Sequence, residues 1–233
     1  MLTRDDIKQK LGVYAADLIK QDMLIGLGTG TTVYYLLKEL GKRKLQGLNF
    51  TAVCTSLQTQ NILKEEGINY LSLDDVERLQ LALDGADEVD VNGNLIKGGG
   101  GALLQEKIVE AASDELIIIV DEKKDVQILG AFPLPVEVIT FGWKQVQQKI
   151  ETTCNIKAVL REKEGKPFIT DHKHYILDCY FNSIPDPAQL NVELHLMAGV
   201  VETGLFVNMA SKVITGYPDG TIKEKIYKRL DIY

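Results

Sequence analysis

The stretch Gly26-Leu27-Gly28-Thr29-Gly30-Thr31-Thr32, placed directly after the apolar Met23-Leu24-Ile25, restricts the fold more than any other part of the chain. A short strand runs into glycines and threonines, and Thr31 to Leu37 then opens a helix. The same order recurs: strand-like Phe50 to Cys54, a polar turn at Thr55-Ser56-Leu57-Gln58-Thr59, and helical Ile62 to Glu66 closed by Gly67. Tyr70-Leu71, Leu79 to Leu83 and Leu116-Ile117-Ile118-Ile119-Val120 supply further strands. Strands alternating with helices imply parallel βαβ units. A helix opening at Thr3-Arg4-Asp5-Asp6 and carrying Ile7, Leu11, Tyr14, Ala15 and Leu18 precedes the first strand, and Asn92-Gly93 between Val89 and Ile96 marks a hairpin.

The rhythm stops at Phe132-Pro133-Leu134-Pro135. Beyond it the pattern predicts a helix over Trp143 to Ile150, strands over Lys157 to Arg161 and Tyr175 to Phe181, a helix over Gln189 to Leu196 and a strand over Val200 to Phe206. Val213 to Gly216 returns to the first sheet. The expected architecture is α/β: a doubly wound, mostly parallel, Rossmann-like host made of residues 1–132 plus 207–233, with a smaller α+β (ferredoxin-like) domain inserted at 133–206.

Charge narrows the function classes. With 26 Lys+Arg against 33 Asp+Glu the net is −7, so no global positive field exists to coat a duplex or a membrane surface. Cys54, Cys154 and Cys179 lack paired spacing, which argues against a disulfide framework or zinc knuckle and for a reducing cytoplasm. The polar start is unlike a secretory signal, and the aliphatic run Leu116–Val120 is far below the ~20 residues that span a bilayer, so a cytoplasmic protein is expected.

Three motifs carry chemistry. The Gly26–Thr32 turn can bring backbone N–H groups, a helix N-terminus and threonine hydroxyls to an anion. It is neither a dinucleotide fingerprint, since the third glycine position holds Thr31, nor a P-loop; it reads as a phosphate cradle or a tight capped turn. In Asp84-Gly85-Ala86-Asp87-Glu88-Val89-Asp90, four acids in seven residues suit metal, sugar hydroxyls or acid–base work. A calcium loop starting at Glu88 fails, because its twelfth position is Gly99 rather than glutamate. Glu88 and Asp90 read as a solvent-facing turn, whereas Asp84 and Asp87 flank the small Gly85 and Ala86. In Lys97-Gly98-Gly99-Gly100-Gly101, ordering four glycines is costly in entropy, which favours a backbone lying against a ligand over a free hinge. A helix follows, with Leu104, Ile108 and Ala111 on one stripe and Glu106 pointing away from it as a candidate base beside Lys97. His172, His174 and His195 read as surface or structural groups, Trp143 and the tyrosines form no stacking platform, and Lys223 to Arg229 reads as a solvated helix face.

Together with Ile128-Leu129-Gly130, Phe132-Pro133-Leu134-Pro135-Val136-Glu137-Val138 and Tyr217-Pro218-Asp219-Gly220, these motifs resemble, in order and over essentially the whole chain, the type A ribose-5-phosphate isomerases. The resemblance implies interconversion of D-ribose 5-phosphate and D-ribulose 5-phosphate in the non-oxidative pentose phosphate pathway, without metal or other cofactor, by a homodimer or homotetramer. It implies that Glu106 is the general base, and that Asp84 and Asp87 contact the sugar and serve ring opening. Lys97 would be the site lysine, Thr29, Gly30, Thr31 and Thr32 the phosphate-side loop, and Lys124 and Lys8 outlying ligand-contacting lysines. Gly85, Ala86, Gly98, Gly99 and Gly100 complete the implied sugar-binding set. Gly101 replaces a frequent alanine, and Leu104-Gln105 stands where the family often has Thr-Arg. The other functions weighed were a non-catalytic sugar-phosphate sensor, a glutamate-dependent coenzyme A transferase and an amino-sugar phosphate deaminase. The residues before the first strand are too few, and carry too little basic charge, for the helix-turn-helix a sensor would need.

Overall fold

The computed structural model describes residues 1–229. In chain order the first elements are α1 (Arg4–Ala16), β1 (Met23–Leu27), α2 (Thr31–Leu45), β2 (Phe50–Cys54), α3 (Leu57–Glu65), β3 (Tyr70–Leu71) and β4 (Leu79–Asp84). There follow β5 (Glu88–Val89), β6 (Leu95–Ile96), α4 (Leu103–Ala111), β7 (Ser113–Asp121), β8 (Leu134–Val138), α5 (Trp143–Cys154), β9 (Lys157–Leu160), β10 (Glu162–Lys163) and β11 (Lys166–Pro167). The last are β12 (Tyr175–Tyr180), α6 (Pro187–His195), β13 (Val200–Thr203), β14 (Leu205–Phe206), β15 (Lys212–Gly216) and β16 (Ile222–Ile226). The chain forms two compact units, one of residues 1–86, 105–125 and 208 onward, the other of 87–104 and 126–207.

The first unit is built on a seven-stranded sheet in the order β16-β15-β7-β4-β1-β2-β3. Every pairing in it is parallel except that of the edge strand β16 with β15. Ile25, Leu27, Leu81, Leu83, Ile117 and Ile119 project from the strands into a core closed by Leu11 of α1 and Leu36, Leu37 and Leu40 of α2. Each such side chain taken out of water contributes roughly 1.5–3 kcal/mol. Register matters most for function: Leu27 pairs with both Cys54 and Leu83, so β1 and β2 end level with the penultimate residue of β4. The residues that follow, Gly28, Thr55 and Asp84, lie along one carboxyl edge, where open α/β sheets bind ligands.

The second unit has the chain order β8-α5-β9-β12-α6-β13 and the sheet order β13-β8-β12-β9, all antiparallel, which is the ferredoxin-like split βαβ arrangement. Its core gathers Leu134, Val136, Val138, Ile150, Leu177, Cys179 and Leu194. A small sheet, β14-β6-β5, and the β10–β11 hairpin complete it. The Asn-Gly hairpin forms as expected, Val89 opposite Leu95.

Several sequence expectations need amendment. Phe132-Pro133-Leu134-Pro135 leads into β8, an inner strand of the second unit's four-stranded sheet, rather than only interrupting the first unit. The strand expected over 200–206 is broken at Gly204, where a side chain would overlap the Lys97 carbonyl, and the chain changes partner from β8 to β6. The second unit also takes in residues 87–104, expected in the host, because β6 pairs with β14 across more than a hundred residues. Finally, Ile222–Ile226 is a strand, not a helix face, since a tight turn at Tyr217–Thr221 folds it back along β15. Among the described residues no helix is long and apolar enough to cross a membrane.

Candidate active site

In the first unit the β1–α2 turn is fixed by Asp84. The Asp84 carboxylate, 1% exposed at the end of β4, accepts from the Thr29 N–H at 3.0 Å and the Gly85 N–H at 2.7 Å. Gly28 donates to the Leu83 carbonyl at 2.9 Å and lies so close to Asp84 that any side chain there would overlap the carboxyl group. Gly30, at φ 134°, is the N-cap of α2 and offers no side chain to its first turn. The leading N–H groups of a 15-residue helix are thus left to an outside acceptor, the usual setting for a phosphate. Thr31 and Thr32 stand beside them, exposed and half-buried. The Thr29 hydroxyl turns instead toward β2 and α3, donating to Ser56 Oγ at 2.7 Å and lying 2.9 Å from Thr55 Oγ1 and 3.1 Å from Thr59 Oγ1. No local sequence pattern marks that hydroxyl cluster, because its members come from separate segments.

Glu106 lies on the buried face of α4, 3% exposed, together with Lys107 at 5% and Glu110 at 0%. The stripe expected on this helix is therefore misplaced: Ile108 is the exposed residue, at 49%, and the acids face inward. The end of α4 is held by Arg229, whose guanidinium donates to the carbonyls of Glu110 at 3.0 Å, Ala111 at 3.2 Å and Ser113 at 2.7 Å. Gln105, where the resemblance leads us to expect arginine, donates its side-chain amide to the Cys54 carbonyl at 3.1 Å. The Cys54 thiol is pushed up to about 11 by burial and stays protonated near neutrality.

The second unit holds the other half of the candidate set. Asp87 accepts from the Gly99 N–H at 2.7 Å. Lys97 is 2% exposed, its ammonium 5.3 Å from the centre of the Phe206 ring and its N–H bonded to the Gly204 carbonyl at 2.9 Å. Burying an ammonium is costly, and an aromatic face offsets part of that cost. The loop after Lys97 turns at Gly98, whose carbonyl accepts from Gly101 N–H at 3.0 Å, with Gly98 at φ 94° and Gly101 at φ 87°. Phe168 fills the space where a Gly101 side chain would stand, so the departure from alanine matches its neighbour. Gly99 and Gly100 are exposed.

Glu88 and Asp90 are not a solvent-facing turn. Glu88, 4% exposed, accepts from Gly130 N–H at 2.7 Å and Phe132 N–H at 2.6 Å, and Asp90, 7% exposed, accepts from Asn92 and Asn94. Both hold backbone. His174 and His195 are structural, bonded to Glu137 and Glu202. Lys124 closes the 3-10 turn after β7, and Lys8 lies on α1, 3.7 Å from Asp5. Arg161, which carried no sequence signal, donates to the carbonyls of Gly98 and Gly99. Among the described residues no group of three or more His, Cys, Asp or Glu is arranged to hold a metal ion.

The family model described as Ribose 5-phosphate isomerase A (phosphoriboisomerase A) matches residues 51–220, and that of the DeoR C terminal sensor domain matches residues 3–94. Ribose-5-phosphate isomerase A of Bacillus anthracis is 54% identical over 216 residues, covering 92% of this chain and 98% of its own. That of Bifidobacterium adolescentis is 48% identical over 219 residues, covering 93% and 94%. Among solved structures, the Plasmodium falciparum ribose 5-phosphate isomerase superposes with a TM-score of 0.93 at 35% identity, over 96% of this chain and 99% of its own. A D-ribose-5-phosphate isomerase in complex with phospho-erythronic acid gives 0.93 at 39% identity, over 97% and 100%.

Proposed function

The chain belongs to the ribose 5-phosphate isomerase A family and interconverts D-ribose 5-phosphate and D-ribulose 5-phosphate, and on that premise we propose which of its residues do the work. Glu106 is the base that moves the proton. The observation that carries this reading is a carboxylate 3% exposed on the helix that opens directly after the Gly98–Gly101 loop.

Aldose–ketose isomerisation takes a proton from C2 of the open-chain aldose, passes through an enediolate, and returns the proton to C1. Glu106 accepts and returns that proton. The charge that develops on the oxygens needs donors already in place, a role for the Lys97 ammonium and the N–H groups of the glycine loop. Asp84 and Asp87 bind sugar hydroxyls and serve ring opening, each oriented by backbone N–H groups. The start of α2, with Thr31, Thr32 and the Gly30 N–H, receives the phosphate, while Thr29, its N–H held by Asp84 and its hydroxyl by Ser56, shapes the turn; Lys124 is assigned to the same phosphate by the resemblance alone. The binding of phospho-erythronic acid by a solved relative supports a site for a phosphorylated sugar chain.

The reaction belongs to the non-oxidative pentose phosphate pathway, and a cytoplasmic location suits it. Self-association as a homodimer or homotetramer is supported by the apolar face of the second unit, where Phe141 and Leu196 are 88% and 81% exposed around a groove lined by Ile139, Val146 and Met197. Full-length agreement with isomerases outweighs the sensor-domain match to 3–94.

Glu106→Gln tests the assignment. The variant is expected to fold and to bind sugar phosphate while losing turnover in an assay for ribulose 5-phosphate; a near-normal kcat would remove Glu106 from the base role.

A further inference from the structure

We propose that Arg161, held by Asp178, is a positioning residue that sets the peptide planes of the glycine loop and so aims the Gly100 N–H at the reacting oxygens. The proposal rests on the glycine loop being an oxyanion donor, as read above. Arg161 Nη1 donates to the Gly98 carbonyl at 2.8 Å and to the Gly99 carbonyl at 3.2 Å. Two successive carbonyls therefore face one guanidinium. A trans peptide is planar, with its N–H opposed to its C=O. The N–H groups of Gly99 and Gly100 must then face the other way. The first does, reaching Asp87 at 2.7 Å. The second belongs to an exposed residue and makes no hydrogen bond among the described residues.

The guanidinium also selects against the alternative. If the peptide between Gly99 and Gly100 turned over, its N–H would point at Arg161, donor against donor, and a hydrogen bond to a charged group would be lost. With glycine on both sides of that peptide no side chain hinders such a flip, so something outside the loop has to prevent it. Charge at the carbonyl end further polarises each peptide and strengthens its N–H as a donor. Arg161 is itself fixed: Asp178 on β12 grips Nε at 3.0 Å and Nη2 in a bidentate pair, and the Arg161 side chain is only 13% exposed.

A purely structural ion pair would hold the fold without affecting the transition state preferentially. Steady-state kinetics of Arg161→Met, Arg161→Lys and Asp178→Asn separate the two roles, each per folded molecule as judged by circular dichroism. Removing an oxyanion donor costs about 10²–10³ in rate, so a donor left in place but no longer aimed is expected to cost roughly 10- to 100-fold in kcat. KM should change by less than about threefold, because ground-state contacts remain. Arg161→Lys, lacking the planar fork, should recover only part, and millimolar guanidinium should restore part of the Arg161→Met rate. An unchanged kcat, or a loss that vanishes when corrected for folded fraction, overturns the proposal. Gly100→Pro, which lacks the N–H, tests the underlying reading. A normal kcat there removes the loop as a donor and this inference with it. A loss in Gly100→Pro without one in Arg161→Met refutes only the role of Arg161.

Discussion

A methyl group at position 28 would overlap the Asp84 carboxyl, whereas one at position 30 meets nothing within 4 Å but must adopt φ 134°. The two glycines are thus required for different reasons, one by a neighbour and one by the backbone. Gly30→Ala should cost about 1–3 kcal/mol of strain. Gly28→Ala should cost a similar amount, about 1–3 kcal/mol, through overpacking. It should also lower kcat, because the carboxylate it displaces is the one bonded to Thr29 and Gly85. Combining Gly28→Ala with Asp84→Asn checks this, since residues in contact give non-additive effects. Full additivity in kcat would mean that Gly28 does not act through Asp84. At this scale sequence was informative where chemistry sits in a run. Asp84, Asp87, Lys97 and Glu106 stand within or beside glycine-rich stretches and could be singled out. Arg161 could not, because it reaches the loop from a position more than sixty residues away in the chain. Ser56 and Thr59 look like part of an ordinary polar turn in the sequence, since nothing local shows that their hydroxyls meet Thr29.

Elements were legible where periodicity and turn chemistry agreed. The parallel strands, the start of α2 and the Asn-Gly hairpin all follow from local patterns. The tail misled, because Lys223, Glu224 and Lys225 between two isoleucines suit a polar helix face as well as a charged edge strand. The Asp219-Gly220 turn, with Thr221 N–H donating to Asp219 at 2.9 Å, decides for the strand, and the lysines guard an exposed edge. α4 misled more deeply, because Glu106, Lys107 and Glu110 are buried beside Leu103 and Val109, and no hydrophobicity pattern registers buried charged groups. β8 offers a comparable case that can be measured. Glu137, 1% exposed in the middle of that sheet, accepts from Thr170 Oγ1 at 2.9 Å and pairs with His174 Nδ1 at 3.0 Å. Burial pushes its carboxyl above the ordinary glutamate value, with Thr170 and His174 pulling back only part of the way. Between the unfolded and folded values the native state then binds more protons than the unfolded state, so this group's contribution to stability is present at low pH and is lost as the pH rises through that window. Melting curves of the wild type and Glu137→Gln should show the wild type losing ground in that direction. The opposite slope would mean that the pairing with His174 outweighs burial.

At the scale of the whole chain, a net charge of −7 and a dianionic substrate look mismatched, and distance resolves the mismatch. Screening acts on charges according to how far apart they are: at about 0.1 M salt the Debye length is ~10 Å. The acidic excess is a sum over the whole surface and acts on an approaching sugar phosphate mostly from beyond that length. Lys124 and the N-terminus of α2, where the phosphate is proposed to bind, would act at contact. The two contributions should therefore respond differently to added salt, which a count of charges in the sequence cannot show. Lys124→Met separates them. In the variant, kcat/KM should rise as salt goes from about 0.01 to 0.1 M, because the repulsive remainder is screened first. The ratio of wild-type to variant kcat/KM should be largest at low salt and shrink as salt increases, because what the ratio isolates is an attraction. A ratio independent of salt would place Lys124 away from the phosphate, and a variant whose kcat/KM falls with salt would show that other cations, not the acidic surface, dominate the approach.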